Sequence, residues 1–223
     1  MLTFQRNPRR GVTKRSTAQL VLAQVGQSTG SPAATATWGP DYLQANDLVL
    51  AAMACGAGLS APTTSGYTGL YTSGLRLGLY WKLMGTTPDQ SVSFPGTINT
   101  GTVVAALGYR GIDPAIIFDV ALTSVATSGS PNAPAITPAT DDCYIAIFAG
   151  SNGLDASVGN VTNYVGIQNS ADGATADATI AAFTTKLSGG AGASHDPPAW
   201  DAWASTNYNA VTVALRSLQG IWD

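Results

Sequence analysis

Glutamate is absent from this 223-residue chain, and all 13 acidic residues are aspartate. Lysine occurs three times, histidine once and cysteine twice, and charged residues make up only 10%. Soluble domains typically carry about 25% charged residues. Without glutamate and with little lysine, the best charged helix formers are missing, which excludes helical bundles and coiled coils. Intrinsic disorder is excluded by the 45% of hydrophobic residues. A bilayer-spanning helix needs about 20 apolar residues, whereas the longest apolar run is Leu48 to Cys55. No secretory signal peptide is expected either. The stretch after the first basic residues, Ala18 to Val25, is short and broken by Gln19 and Gln24.

Small residues and turn formers are abundant instead. Over half the chain is Ala, Gly, Ser, Thr or Pro. Short apolar runs are punctuated by Pro88-Asp89, Pro95-Gly96, Ser128 to Pro134, Ser151 to Gly153 and Gly189 to Gly192. Many short strands at regular spacing predict an all-β fold, a jelly-roll-like β-sandwich of antiparallel strands. Strands are expected near 19–25, 47–55, 66–72, 75–84, 91–95 and 102–110, then 142–150, 161–168, 176–187, 200–204 and 209–217. Leu75, Leu77, Leu79 and Trp81 alternate with Arg76, Gly78, Tyr80 and Lys82, the period of a strand with one buried face.

The second set of strands resembles the first. NDLVLAAMA at 46–54 aligns with DDCYIAIFA at 141–149, which matches Ala51 with Ala146 and Ala54 with Ala149. GYTGLYTS at 66–73 aligns with NYVGIQNS at 163–170, and YWKLMG at 80–85 with TTKLSG at 184–189. ALGYRG at 106–111 aligns with TVALRS at 212–217, placing Arg110 with Arg216. The four segments keep their order, as two copies separated by loop insertions would. The expected organisation is a basic N-terminal arm and connector over 1–40, then a sandwich body over 41–223. Its related halves would cover about 46–111 and 141–217, bridged by Ile116 to Thr137.

Charge is unevenly spread. Arg6, Arg9, Arg10, Lys14 and Arg15 supply half of the ten cations, with no acid among them. Such an arm suits phosphate, an acidic protein groove or an anionic membrane. Composition equally allows a solvated, frayed terminus. The rest of the chain is acidic, which argues against specific nucleic-acid recognition.

Catalytic signals are sparse. His195 lies in GGAGASHDPPAW beside Ser194 and Asp196, but sequence neighbours point in different directions and no GxSxG elbow is present. An exposed loop histidine is expected. Asp141 and Asp142 form the one adjacent carboxylate pair. Neighbours at a strand start face opposite ways, so Asp47 and Asp142 are expected to serve turns. Asp155, Asp172 and Asp177 lack the pattern of a calcium loop. Cys55 and Cys143 are expected as buried free thiols, and with one histidine and no CxxC they cannot close a zinc site. No catalytic residue, cofactor or metal is therefore assigned. Trp81 is expected in the core. Trp38, Trp200, Trp203 and Trp222 lie in loops or near the termini, where they could anchor an interface, stack on sugar rings or pack the sandwich rim.

LRLGLYWKLMG at 75–85 and VVAALGYRGIDPAIIFD at 103–119 carry a resemblance. A Tyr-Trp-Lys strand, a turn and an Ala-rich strand ending Tyr-Arg-Gly-Ile-Asp are similar to a β-sandwich family. That family recurs in virion proteins of tailed bacteriophages and in some bacterial surface proteins. The likeness in layout extends over about 42–217, although the second half lacks the Tyr-Arg-Gly-Asp turn. It implies a non-enzymatic structural protein located in the virion and transfers no site residues. The expected role is a capsid decoration or cement protein, a homo-oligomer such as a trimer. Its partner would be the major capsid protein or another virion protein, gripped by Arg6, Arg9, Arg10, Lys14 and Arg15. Two alternatives remain at this point: a tail-fibre or tail-tip protein binding host glycan, and a polysaccharide-active enzyme.

Overall fold

The computed structural model describes residues 18–29, 33–73, 76–96, 100–127, 129, 131–152, 159–171, 176–201 and 207–218. These contain twelve strands and no helix. The first half holds β1 (Gln19–Ser28), β2 (Ala33–Thr37), β3 (Leu48–Cys55), β4 (Thr68–Ser73), β5 (Leu77–Leu83), β6 (Ser91–Pro95) and β7 (Thr102–Arg110). The second half holds β8 (Thr123–Thr127), β9 (Tyr144–Ser151), β10 (Val165–Ala171), β11 (Ala178–Lys186) and β12 (Tyr208–Leu215). Named strands pair antiparallel throughout.

Two five-stranded sheets form a β-sandwich, in the orders β1-β7-β3-β5-β4 and β10-β11-β9-β12-β8. The chain completes one sheet before it starts the other. Read from β4 and from β10, the orders are equivalent strand for strand. The core between the sheets takes Leu48, Leu50, Leu77, Leu79 and Leu107 from one side. Phe148, Ile180, Val211 and Val213 face them from the other. Burying one such side chain is worth about 1.5–3 kcal/mol.

Both outer faces are covered as well. The β2–β6 ribbon lays Ala34, Ala36, Val92 and Phe94 over Val49, Ala51, Met53 and Tyr80 of the first sheet. On the second sheet, Ala133, Ile136, Val161 and Trp200 cover Ile145, Ile147 and Phe183. The pairing of Ile136 with His195 takes the place the ribbon has on the other side. This two-sided cover explains why β3, β9 and β12 are buried along their whole length. It also explains the alanine runs, because small side chains let layers approach closely.

Several sequence expectations need correction. β1 follows the strand expected near 19–25 and runs on to Ser28, and all of β2 lies in the stretch expected as connector, so strands of the body precede residue 41. β8 lies in the expected bridge. β5 is not half-buried: Leu77 and Leu79 face the inner core, while Tyr80 packs on Phe94 at 5.6 Å beneath the ribbon. Trp81 sits at the margin of the inner core, edge-on to Phe118 at 5.6 Å. The strand expected over 200–204 falls mostly outside the described residues.

The repeat alignment also shifts in two places. Leu48, Leu50 and Ala52 face inward, as do Tyr144, Ala146 and Phe148. Leu48 therefore corresponds to Tyr144, one residue later than the sequence match, which had paired the outward Ala51 with the inward Ala146. Asn46 (φ 67°) then corresponds to Asp142 (φ 58°), and each turns into its strand in the left-handed region that Asn and Asp tolerate. Likewise Lys82 pairs with the outward Val49, whereas Lys186 pairs with the inward Tyr144. A one-residue slip exchanges the faces of a strand. The Tyr67–Tyr164 and Arg110–Arg216 matches agree with the register.

Candidate functional site

The basic arm joins the body at one end of the sandwich. Ala18, the first described residue, offers its carbonyl to the Tyr144 hydroxyl at 3.3 Å and the Lys186 ammonium at 3.4 Å. Tyr144 in turn packs edge-on to Tyr109, with ring centroids 5.4 Å apart. Beside this junction lies a groove of about 210 Å³, lined by Leu20, Tyr144, Val165, Thr184 and Lys186 among others. The exposed large hydrophobic residues among the described ones are Tyr42, Ile116, Val165 and Leu218. All four sit at this end. Val165 opens β10 in the groove, the Tyr42 carbonyl accepts from Arg110, and Leu218 bonds Gly111 next to the turn that carries Ile116.

Ion pairs stiffen the same end. Arg110 grips the buried carboxylate of Asp47 with two nitrogens, Nε at 3.1 Å and Nη2 at 2.8 Å. Asp47 also accepts the Gln44 backbone N–H at 2.8 Å. Such a two-pronged pair fixes orientation as well as charge. Arg216 stands 3.9 Å from Asp113, a looser pair. Asp119 accepts from the Thr140 backbone at 3.0 Å and from its hydroxyl at 2.6 Å. Asp141 accepts the Ala191 N–H at 2.9 Å and so holds the following glycine turn.

His195 is half-buried, not the exposed loop residue expected. Its backbone exchanges two hydrogen bonds with Ile136, and its Nε2 lies 2.6 Å from the Tyr164 hydroxyl. Burial lowers the imidazole's proton affinity, against a smaller opposing pull from Asp196. Burial, with a smaller contribution from the charge of Asp196, raises the Tyr164 hydroxyl. A shallow cavity of about 290 Å³ lies alongside, between Lys186, Ser188, Gly189, Ser194 and His195. The ring meets a tyrosine where a hydrolase triad would have a serine.

The remaining predicted residues fall in several places. Arg6, Arg9, Arg10, Lys14 and Arg15 lie outside the described residues, as do Trp203, Trp222, Asp155 and Asp172. Trp38 and Trp200 are corrected from candidate contact aromatics to core residues. Trp38 is sealed against the first sheet and donates to the Asp89 carbonyl at 2.7 Å. Trp200 lies edge-on to Phe183 at 6.2 Å. Neither ring has a face free for a sugar or a partner. Cys55 and Cys143 are free and buried in the two separate outer clusters. Burial, reinforced by Asp119, pushes the Cys143 thiol up to about 12. Among the described residues, no three His, Cys or Asp side chains gather as metal ligands, and no helix could cross a membrane.

Sequence reasoning flagged Asp47, Arg110, Tyr164 and His195 singly but not their pairing, because each partnership joins segments far apart in sequence. Compared with protein families, with curated proteins and with solved structures, the chain matches none.

Proposed function

We propose that this chain is a non-enzymatic structural protein of a tailed-bacteriophage virion. In its most concrete form it is a capsid decoration or cement protein. The observation that carries this reading is where the arm joins the body. Five cations within fifteen residues lead into β1, a strand of the five-stranded sheet. A load on the arm therefore passes directly into the sheet's hydrogen bonds. The entry point is also the end that gathers the exposed apolar side chains. An arm of this kind holds an acidic partner surface through Arg–carboxylate pairs and strand addition, and the major capsid protein lattice is the partner proposed. The segments that resemble phage virion sandwiches fall on β5, β7 and the turn after β7, which build this same end.

The test is sedimentation of undecorated capsids with the full chain and with a form lacking residues 1–16. That deletion stops short of β1. Saturable binding by the full chain, with at least a tenfold loss on deletion, is the expected result; five phosphate- or carboxylate-directed cations are worth roughly that much or more. Equal binding by both forms sinks the arm as anchor. No binding by either moves the assignment to the tail, where a glycan screen with Trp203 and Trp222 variants follows.

A further inference from the structure

The end of the sandwich where the chain enters β1 has a surface that the body itself leaves uncovered. Its apolar part is the groove between Leu20, Tyr144 and Val165, with Val165 67% exposed. Its charge is acidic. Asp41 and Asp141 are exposed and Asp142 is half-buried. Arg110 and Arg216, the nearby guanidinium groups, are already committed to Asp47 and Asp113.

We infer that this surface is the receptor for the chain's own residues 1–17, the apolar side chains of that segment entering the groove and its cations facing Asp41, Asp141 and Asp142. Three observations favour this occupant. The first is charge: the segment has five cations and no acid. The second is where it starts. Ala18 is held by Tyr144, a wall of the groove, so the segment is tethered at its own receptor. Tethering of this kind gives an effective concentration of about millimolar, far above that of a second copy in dilute solution. The third is sequence. Asn7-Pro8-Arg9-Arg10-Gly11 is rich in turn-forming residues and lies between Ala18 and the apolar Leu2 and Phe4. In the free protein the arm is thus stored on its own body, and any partner surface must displace it. This inference is independent of what that partner is.

Trypsin reads the docking directly, because every cation of the arm is a cleavage site. Cleavage of the full-length protein is compared with that of a synthetic peptide of residues 1–17 at the same ionic strength. The expected result is cleavage about tenfold slower in the protein at low salt, approaching the peptide rate at high salt, where exposed pairs are screened. The protection is expected to be unchanged on dilution. Phe4→Ser, which leaves the body untouched, and Val165→Lys, at an exposed position, are each expected to restore the peptide rate. Cleavage at the peptide rate in low salt overturns the inference. So does protection that disappears on dilution, which would make the occupant a second copy. Protection that survives both substitutions overturns it too.

Discussion

At the residue scale, His195 offers a single titration that can be followed cleanly, because the chain has no other histidine. The folded protein holds its imidazole below the ordinary value, chiefly by burial. In the unfolded chain it takes up a proton near pH 6.5. Between those two values the unfolded state binds more protons, so stability falls as pH drops from about 6.5 through the folded value. The urea midpoint should therefore decline between about pH 7.5 and 5.5 in the wild type, and His195→Gln should flatten that decline. An equal slope in both proteins would remove His195 as its source. The histidine was visible in the sequence, but its role was not. GGAGASHDPPAW describes a loop, and nothing local announces that Ile136 pairs with its backbone.

At the element scale, close approach between layers sets what each strand can carry. A Cβ on Gly150 of β9 would lie 2.3 Å from the Arg76 carbonyl oxygen and 3.1 Å from the Leu77 Cβ, both from the facing sheet. Gly150→Ala must push the sheets apart locally and is expected to cost about 1–3 kcal/mol. Gly85, with nothing within 4 Å of its would-be Cβ, serves as the control. Gly85→Ala should be neutral or stabilising by up to about 1 kcal/mol. Equal urea-unfolding midpoints for the two variants would show that the sheets yield at Gly150. Strands with strong apolar content, such as LVLAAMAC and VVAALGY, were legible because their runs have no other stable use. β2 (AATAT) and β8 (TSVAT) were not, since five small or polar residues between turn formers resemble the loops around them. Missing β2 had a further consequence. Without the ribbon, the outer face of β5 looked solvated and Trp38 looked exposed, although both are covered.

At the scale of the whole molecule, the equivalent strand orders make the halves alike, yet the packing makes them interdependent. β1 lies against β10, β7 against β10 and β11, and β3 against β9 and β11. The buried inward residues of β3, β7, β9 and β11 are therefore covered by the opposite sheet. Sequence comparison finds such a repeat by matching residue types. It cannot fix the faces, because alanine occurs on both sides of β3 and the slipped alignment, not the structural one, matches Ala to Ala. Only the inner core settles the register, by demanding that Leu48, Leu50 and Ala52 point the same way as Tyr144, Ala146 and Phe148. Interdependence also fixes how the molecule comes apart. If each half were a self-sufficient domain, calorimetry would show two transitions, with a van't Hoff enthalpy well below the calorimetric one. Separation here would expose Leu50, Leu79, Leu107, Phe148 and Ile180 together. At about 1.5–3 kcal/mol each, that loss of burial rivals the 5–15 kcal/mol stability of a typical domain. A half-unfolded species is then too costly to populate. A single transition is expected, with the two enthalpies agreeing, and with Gly150→Ala shifting its midpoint without splitting it. A split transition in that variant would mean that the facing sheets hold each other less tightly than the shared core requires.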